Sequence, residues 1–157
     1  MLAPESETGF FTLEASIALT EPWGSAPLSL SRWLEVRTVV DSGASRTAIS
    51  DQAARILGVP VESLERGPIS GATGAGTRPF IRNLFLRLPA PGCRPIRLDK
   101  VTVLHRSLET PEPTAASSSR VGRVAWRDLN TLGTDIARIL GARLTLDYLA
   151  LTGDLSW

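Results

Sequence analysis

The sequence is poor in the residues that metal sites and disulfides use. Its 157 residues include one cysteine and one histidine, Cys93 and His105. An internal disulfide is therefore excluded, and the common Cys/His zinc sites lack ligands. We expect neither a metal nor a cofactor. Any chemistry has to come from carboxylates or hydroxyls.

Long apolar runs and an excess of one charge are also missing. No run approaches the roughly 18 apolar residues of a membrane span, and Lys+Arg 17 against Asp+Glu 16 leaves a net charge of +1. We therefore expect neither a membrane nor nucleic acid as a partner, since both are attracted by strong basic fields. Glu5 and Glu7 stand where a signal peptide needs a basic segment and an apolar run, which favours a cytoplasmic location.

Length and composition predict one globular domain. Hydrophobic residues make up 43% and charged residues 21% of the chain, which is ordinary for a folded protein. We predict a flexible N-terminus over residues 1–9 and one domain over 10–157. Residues 108–127 are rich in Pro, Ser, Thr and Ala, which predicts a loop insertion.

The residue pattern predicts many short strands and two short helices, and so a mainly β fold. Ser50 can cap the first helix, which Gly58 ends, and the second runs from Thr134 to Leu140 with Gly141 as its stop. The predicted strands alternate apolar and polar residues or are rich in β-branched ones; they cover residues 11–19, 33–40, 84–88, 96–104, 144–148 and 149–155.

One predicted strand leads directly into a turn whose residue types suit catalysis, Asp41-Ser-Gly-Ala44. A buried apolar strand here delivers a carboxylate into a glycine-containing turn. Gly43 lets the backbone approach closely and its amide can donate to the Asp41 carboxylate, while the Ser42 hydroxyl can hold the loop. An Asx-turn at a strand end, without catalytic function, is the alternative interpretation.

A second small-residue segment covers residues 69–77 and is typical of a hairpin tip. The alternative interpretation is a surface hairpin without a binding role, which is rich in glycine because its turns need positive φ angles. A phosphate-binding loop is disfavoured, because Thr77 and Arg78 replace the required Lys-Ser/Thr and no βαβ unit surrounds the segment.

Other candidate groups do not form a catalytic set. A serine nucleophile at Ser42 or Ser45 would need a base, and neither lies in a Gly-x-Ser-x-Gly elbow. His105 fits a structural hydrogen bond at a strand end. Asp135 fits a favourable interaction with the dipole of the second helix, and Asp147 fits an edge or ion-paired position.

The order of these features resembles the retroviral-type aspartic proteases (retropepsins) and their single-domain cellular relatives. An apolar strand precedes Asp41-Ser-Gly-Ala44, a helix ends at Leu57-Gly58, a glycine-rich hairpin follows, and Leu132-Gly133-Thr-Asp135 precedes a last helix. The resemblance implies a single-domain acid-protease β-barrel with two short helices and a flap hairpin.

The resemblance also implies roles for individual residues. Asp41 is the catalytic carboxylate, the Ser42 hydroxyl joins a hydrogen-bond lattice between two loops, Gly43 is a backbone donor, and Ala44 completes the active-site loop. Leu132-Gly133 is the apolar-Gly motif that packs beneath that loop. The flap that closes over substrate includes Ile69, Ser70, Gly71, Ala72, Thr73 and Gly74.

The family pattern requires two chains for one site. Asp-Ser-Gly occurs once in this sequence, whereas a carboxylate dyad needs two copies. The resemblance therefore implies a symmetric homodimer whose two Asp41 carboxylates share a proton and activate a water to hydrolyse an extended peptide. A catalytically weak or inactive retropepsin-like module for dimerisation or peptide binding is the alternative.

This sequence departs from the family pattern at several positions. Ser42 replaces the commoner Thr but keeps the hydroxyl. Thr131 stands at a position that is usually apolar, and Thr134 stands where viral enzymes often carry an arginine that braces the dimer. The 108–127 insertion is longer than its viral counterpart and is expected near the cleft.

Overall fold

The computed structural model describes residues 3–4, 11–19, 33–71, 74–89, 91–104, 130–147 and 152–156. Helix α1 covers Asp51–Ile56 and helix α2 covers Thr134–Leu140, with a 3-10 turn at Val61–Ser63. The strands are β1 Ala3–Pro4, β2 Phe11–Leu19, β3 Leu34–Val40, β4 Ala48–Ser50, β5 Arg66–Gly71, β6 Gly74–Ile81, β7 Leu84–Arg87, β8 Ile96–Leu98, β9 Val101–Leu104, β10 Asn130–Leu132, β11 Arg143–Asp147 and β12 Thr152–Ser156.

Most strands belong to one sheet that curls into a half-barrel. The strand order is β5-β6-β9-β4-β10-β3-β2-β7-β8, and β1 pairs with β2. Strands β11 and β12 form a separate antiparallel pair. The predicted mainly β fold with two short helices is confirmed.

Strand β10 lies between β3 and β4 although those two strands are neighbours in sequence. It pairs parallel with β3, placing Leu132 opposite Val40, and antiparallel with β4 through Thr131 and Ala48. Because β10 lies between β3 and β4, its end is beside the end of β3. Two segments about 90 residues apart in sequence are thereby joined, which is the arrangement that positions the candidate site.

Buried Asn130 joins the two strands on either side of β10. Its Oδ1 accepts from Ser50 N at 2.9 Å, and its Nδ2 donates to Arg37 O at 3.2 Å. Both contacts are made by one side chain that is 8% exposed. Asn130 therefore satisfies backbone groups of β3 and β4 at once.

Replacing this side chain should destabilise the fold. We expect Asn130→Ala to lower the free energy of unfolding by about 2–3 kcal/mol, because it leaves the buried Ser50 N–H without its acceptor. Urea unfolding measures the effect. Gln52→Ala is the control, since it removes an exposed amide of α1 and should stay within about 0.5 kcal/mol of wild type. Equal effects of the two substitutions would contradict the assignment.

The hydrophobic core lies against the curled sheet and includes residues from both helices. Ala53 and Ala54 of α1 and Ile136 of α2 pack into it. Its largest fully buried side chains come from the strands: Ile17, Ile49, Ile81, Leu84, Leu86, Leu98, Val101 and Val103. This core fixes the strands that carry the candidate site.

Both helix ends follow the sequence prediction. The Ser50 side chain accepts from Ala53 N at 3.1 Å and caps α1. Gly141 ends α2 with φ of 63°, a left-handed conformation that glycine adopts without a Cβ penalty. Among the described residues, neither helix is long or apolar enough to cross a bilayer.

The structure differs from the sequence prediction in several elements. The single strand predicted over 96–104 is wrong, because a bend at Asp99–Lys100 divides it into β8 and β9, which pair with different neighbours. Within the N-terminal segment 1–9 the structure describes residues 3 and 4, which form β1 and pair with β2, and the flexibility of that segment stays a prediction. His105 and the 108–127 insertion lie outside the described residues.

Candidate active site

Asp41 follows β3 directly and is held by the end of β10. Its backbone N–H donates to Leu132 O at 3.1 Å, which extends the parallel pairing by one residue. Val39 is buried in the strand before it, whereas Asp41 is partly exposed. The buried strand therefore delivers a carboxylate to a solvent-accessible position.

The turn after β3 folds back onto the Asp41 carboxylate. Ala44 N donates to Asp41 O at 3.2 Å, and Gly43 N donates to Asp41 Oδ1 at 2.8 Å. The second contact is the one the sequence predicts for Gly43. A Cβ at position 43 would lie 3.2 Å from Asp41 Oδ1, so glycine keeps the carboxylate uncrowded while its amide orients it.

Leu132 and Gly133, at the end of β10, lead into α2 next to this turn. Thr134 N donates to Ala44 O at 2.8 Å, so the start of α2 contacts the Asp41–Ala44 turn directly. A Cβ at Gly133 would lie 2.4 Å from the carbonyl carbon of Arg46 and 2.8 Å from its nitrogen. Only glycine permits this backbone approach, although its φ of -87° is ordinary.

A polar cluster lies where the chain passes from the loop into β4, and the sequence analysis missed its member Thr47. Thr47 N and Thr47 Oγ1 donate to Asp135 Oδ2 and Oδ1 at 2.9 and 2.8 Å. Thr47 Oγ1 in turn accepts from Gly133 N at 3.2 Å. We name Thr47, Gly133 and Asp135 the loop-base cluster.

Sequence reasoning placed Asp135 at the helix N-terminus, and that placement is correct. Asp135 Oδ1 also accepts from Ile136 N at 3.0 Å inside α2. The interpretation was incomplete because the Thr47 partner is 88 residues away and leaves no local pattern. The one available signal was an acidic residue two positions after the Leu132-Gly133 motif.

The glycine-rich segment forms the hairpin of β5 and β6. Its strands pair from Arg66 opposite Pro79 to Gly71 opposite Gly74. Ala72 and Thr73 lie outside the described residues, and Ile69 is partly buried. In the described part of the chain, β6 joins the large sheet only through Phe80 and Ile81. The rest of the hairpin therefore extends beyond the sheet as a two-stranded arm.

Contacts at its base anchor this arm. Phe80 N donates to Glu65 O at 3.1 Å, and Arg82 pairs with Glu65 at 3.2 Å. Lys100 Nζ lies 4.1 Å from the centre of the Phe80 ring, a cation–π contact. The arm is thus fixed at one end and joined to the Asp41 loop through β9, β4, β10 and β3.

Among the described residues, Asp41 forms no hydrogen bond with another carboxyl-bearing side chain. Its contacts there are with Gly43, Ala44 and Leu132, and the carboxylate of Asp135 is committed to Thr47 and Ile136. No three His, Cys, Asp or Glu side chains among the described residues are grouped closely enough to hold a metal ion. Within the described residues, the Asp41 turn therefore presents a single carboxylate, that of Asp41.

Comparison with known proteins agrees with this arrangement. A protein-family model described as aspartyl protease matches residues 33–144, and the chain belongs to that family. Among solved structures, a retropepsin-like aspartic protease from Rickettsia conorii is similar, with a TM-score of 0.55 and 15% identity, over 94% of this chain and 83% of that one. The likeness shows a shared fold and confirms the retropepsin-like resemblance. A search of curated protein sequences gives no significant match.

Proposed function

We propose that the protein is a homodimeric aspartic endopeptidase whose single active site contains Asp41 from each of two chains. The observation that carries the proposal is the position of the Asp41 carboxylate, which is partly exposed at the end of a buried strand and is held by Gly43 N–H at 2.8 Å. A lone carboxylate cannot act as base and acid in the same step. In a dimer with its two-fold axis beside the Asp41 turn, the second chain contributes its own Asp41 carboxylate to the same site.

The dyad then works with one shared proton. The ionised carboxylate takes a proton from a water whose oxygen attacks the peptide carbonyl carbon, and the protonated carboxylate gives its proton to the carbonyl oxygen. The resulting diol collapses as the C–N bond breaks: the carboxylate that took the water proton gives it to the leaving nitrogen, and the other carboxylate takes the proton of a diol hydroxyl as the new C=O bond forms. The carboxylates end with one proton between them, ready for the next water.

The hairpin of β5 and β6 serves in this proposal as the flap over the substrate, and the substrate-binding segment assigned to it is Ile69, Ser70, Gly71, Ala72, Thr73 and Gly74. Support comes from its extension beyond the sheet and its anchored base. An extended peptide can hydrogen-bond to a strand of the arm as an added strand, which places alternate side chains on opposite sides. Closure of the arm excludes bulk water from the dyad.

Dilution tests the need for two chains. We expect cleavage per chain to fall as the protein is diluted through its dimer dissociation constant, in parallel with the dimer fraction measured by mass photometry, because a monomer holds half a site. The substrate is a fluorescence-quenched peptide library at about pH 4 to 7. A constant rate per chain in samples that are wholly monomeric would contradict the homodimer.

A further inference from the structure

The geometry points to Asp135 as a positioning residue for Asp41, acting through Thr47 from beneath the active-site loop. Asp135 has no direct contact with the Asp41 side chain. Asp135 holds the end of the loop at Thr47, just before β4. The start of the loop is held by the bond from Asp41 N to Leu132 O. The inference rests on the proposed function for its kinetic test only.

The hydrogen-bond directions within the loop-base cluster are fixed by donors and acceptors. Gly133 N can only donate, so Thr47 Oγ1 accepts there at 3.2 Å and its own proton goes to Asp135 Oδ1 at 2.8 Å. Thr47 N donates to the other carboxylate oxygen, Asp135 Oδ2, at 2.9 Å. An ionised carboxylate accepts both bonds, which gives Thr47 one orientation.

Burial makes this orientation costly to change. Thr47 is 2% exposed, and Gly133 is buried against the Arg46 backbone. Removal of the partly exposed Asp135 carboxylate takes the acceptors of both Thr47 N–H and Thr47 Oγ1–H away at once. We expect the segment from Arg46 to Thr47 to shift when these two bonds are lost.

The segment from Arg46 to Thr47 is continuous with the Asp41–Ala44 turn. Ala44 O is bonded to Thr134 N at 2.8 Å, one residue before Asp135, so the loop and α2 share two consecutive attachments. Asp135 is thereby coupled to Ala44 and, through the Ala44 N to Asp41 O bond of 3.2 Å, to the turn that orients the carboxylate. Small displacements of a reacting group are enough to slow a reaction strongly.

Kinetics of matched variants test the assignment. We expect Asp135→Ala and Thr47→Val each to lower kcat about tenfold or more with KM changed less than about threefold, because peptide contacts stay in place while Asp41 is misaligned. Asp135→Asn keeps a side-chain oxygen as acceptor, and Thr47→Ser keeps the hydroxyl. Both conservative variants should therefore recover most of the rate. The double variant Asp135→Ala with Thr47→Val should be no slower than the worse single one.

A readout independent of catalysis separates this inference from the proposed function. In 15N-labelled protein, Asp135→Ala should shift the amide resonances of Gly43 and Ala44, whereas Asp99→Ala, which removes an exposed partner of Arg97, should leave them unchanged. If wild type cleaves no peptide while these resonances shift, the proposed function fails and the positioning role stands. If wild type cleaves and Asp135→Ala keeps both its kcat and the Gly43 resonance, the positioning role is wrong.

Discussion

Asp41→Asn should abolish peptide cleavage, with a fall in kcat/KM of roughly a thousandfold or more. Asparagine has the same shape as aspartate, and its side-chain oxygen still accepts from Gly43 N, so the turn seen in the structure is kept. What is lost is the group that takes the proton from water. Cleavage of a mixed peptide library from about pH 4 to 7 measures the effect.

Two controls make the Asp41→Asn result interpretable. Asp99→Asn removes a carboxylate that is paired with Arg97 on the surface and should leave cleavage unchanged. Dimer fraction and urea midpoint of Asp41→Asn should match wild type. Cleavage by Asp41→Asn at near wild-type rate would contradict the catalytic role. Absence of cleavage from both proteins, with dimerisation and peptide binding retained, would favour a non-catalytic module.

Gly133→Ala should be the most destabilising single methyl addition in the described chain. The new Cβ would lie 2.4 to 2.8 Å from three backbone atoms of Arg46, distances at which something has to shift. Backbone atoms cannot rotate away as a side-chain tip can. We expect the free energy of unfolding to fall by about 3 kcal/mol, at the upper end for overpacking.

Urea unfolding of Gly133→Ala should be compared with that of Gly76→Ala. The matched position has open space within 4 Å of its added Cβ and lies in an extended strand, so its effect should stay within about 0.5 kcal/mol or be slightly stabilising. Folded Gly133→Ala protein should also cleave peptide poorly, because the residues on either side of position 133 bond to Asp41 and Ala44. Equal stability of the two variants would show that the contact is looser than described.

Local signals in the sequence account for the elements that were predicted well. Ser50 at the cap of α1 and Gly141 at the end of α2 act within a few residues, so their patterns survive in any tertiary context. The strand that precedes Asp41 is predicted to within one residue because its β-branched residues form a clear run in the sequence. The Gly43 contact with Asp41 is likewise local.

The missed features depend on long-range pairing. Strands β4 and β10 have three residues each, too few to show a period of two, and exist because β10 inserts between β3 and β4. Thr47 and Asp135 look like ordinary polar residues until the fold brings them together. The bend at Asp99–Lys100 is set by the different partners of β8 and β9.

Mixing wild type with Asp41→Asn chains tests most directly whether one site contains two Asp41 carboxylates. After subunit exchange at equal amounts, verified by native mass spectrometry of mass-labelled chains, about a quarter of the dimers are wholly wild type. Because mixed dimers hold one carboxylate, activity per wild-type chain should fall to about half and continue to fall as Asp41→Asn is added. Activity per wild-type chain that stays constant through complete exchange would contradict a shared site.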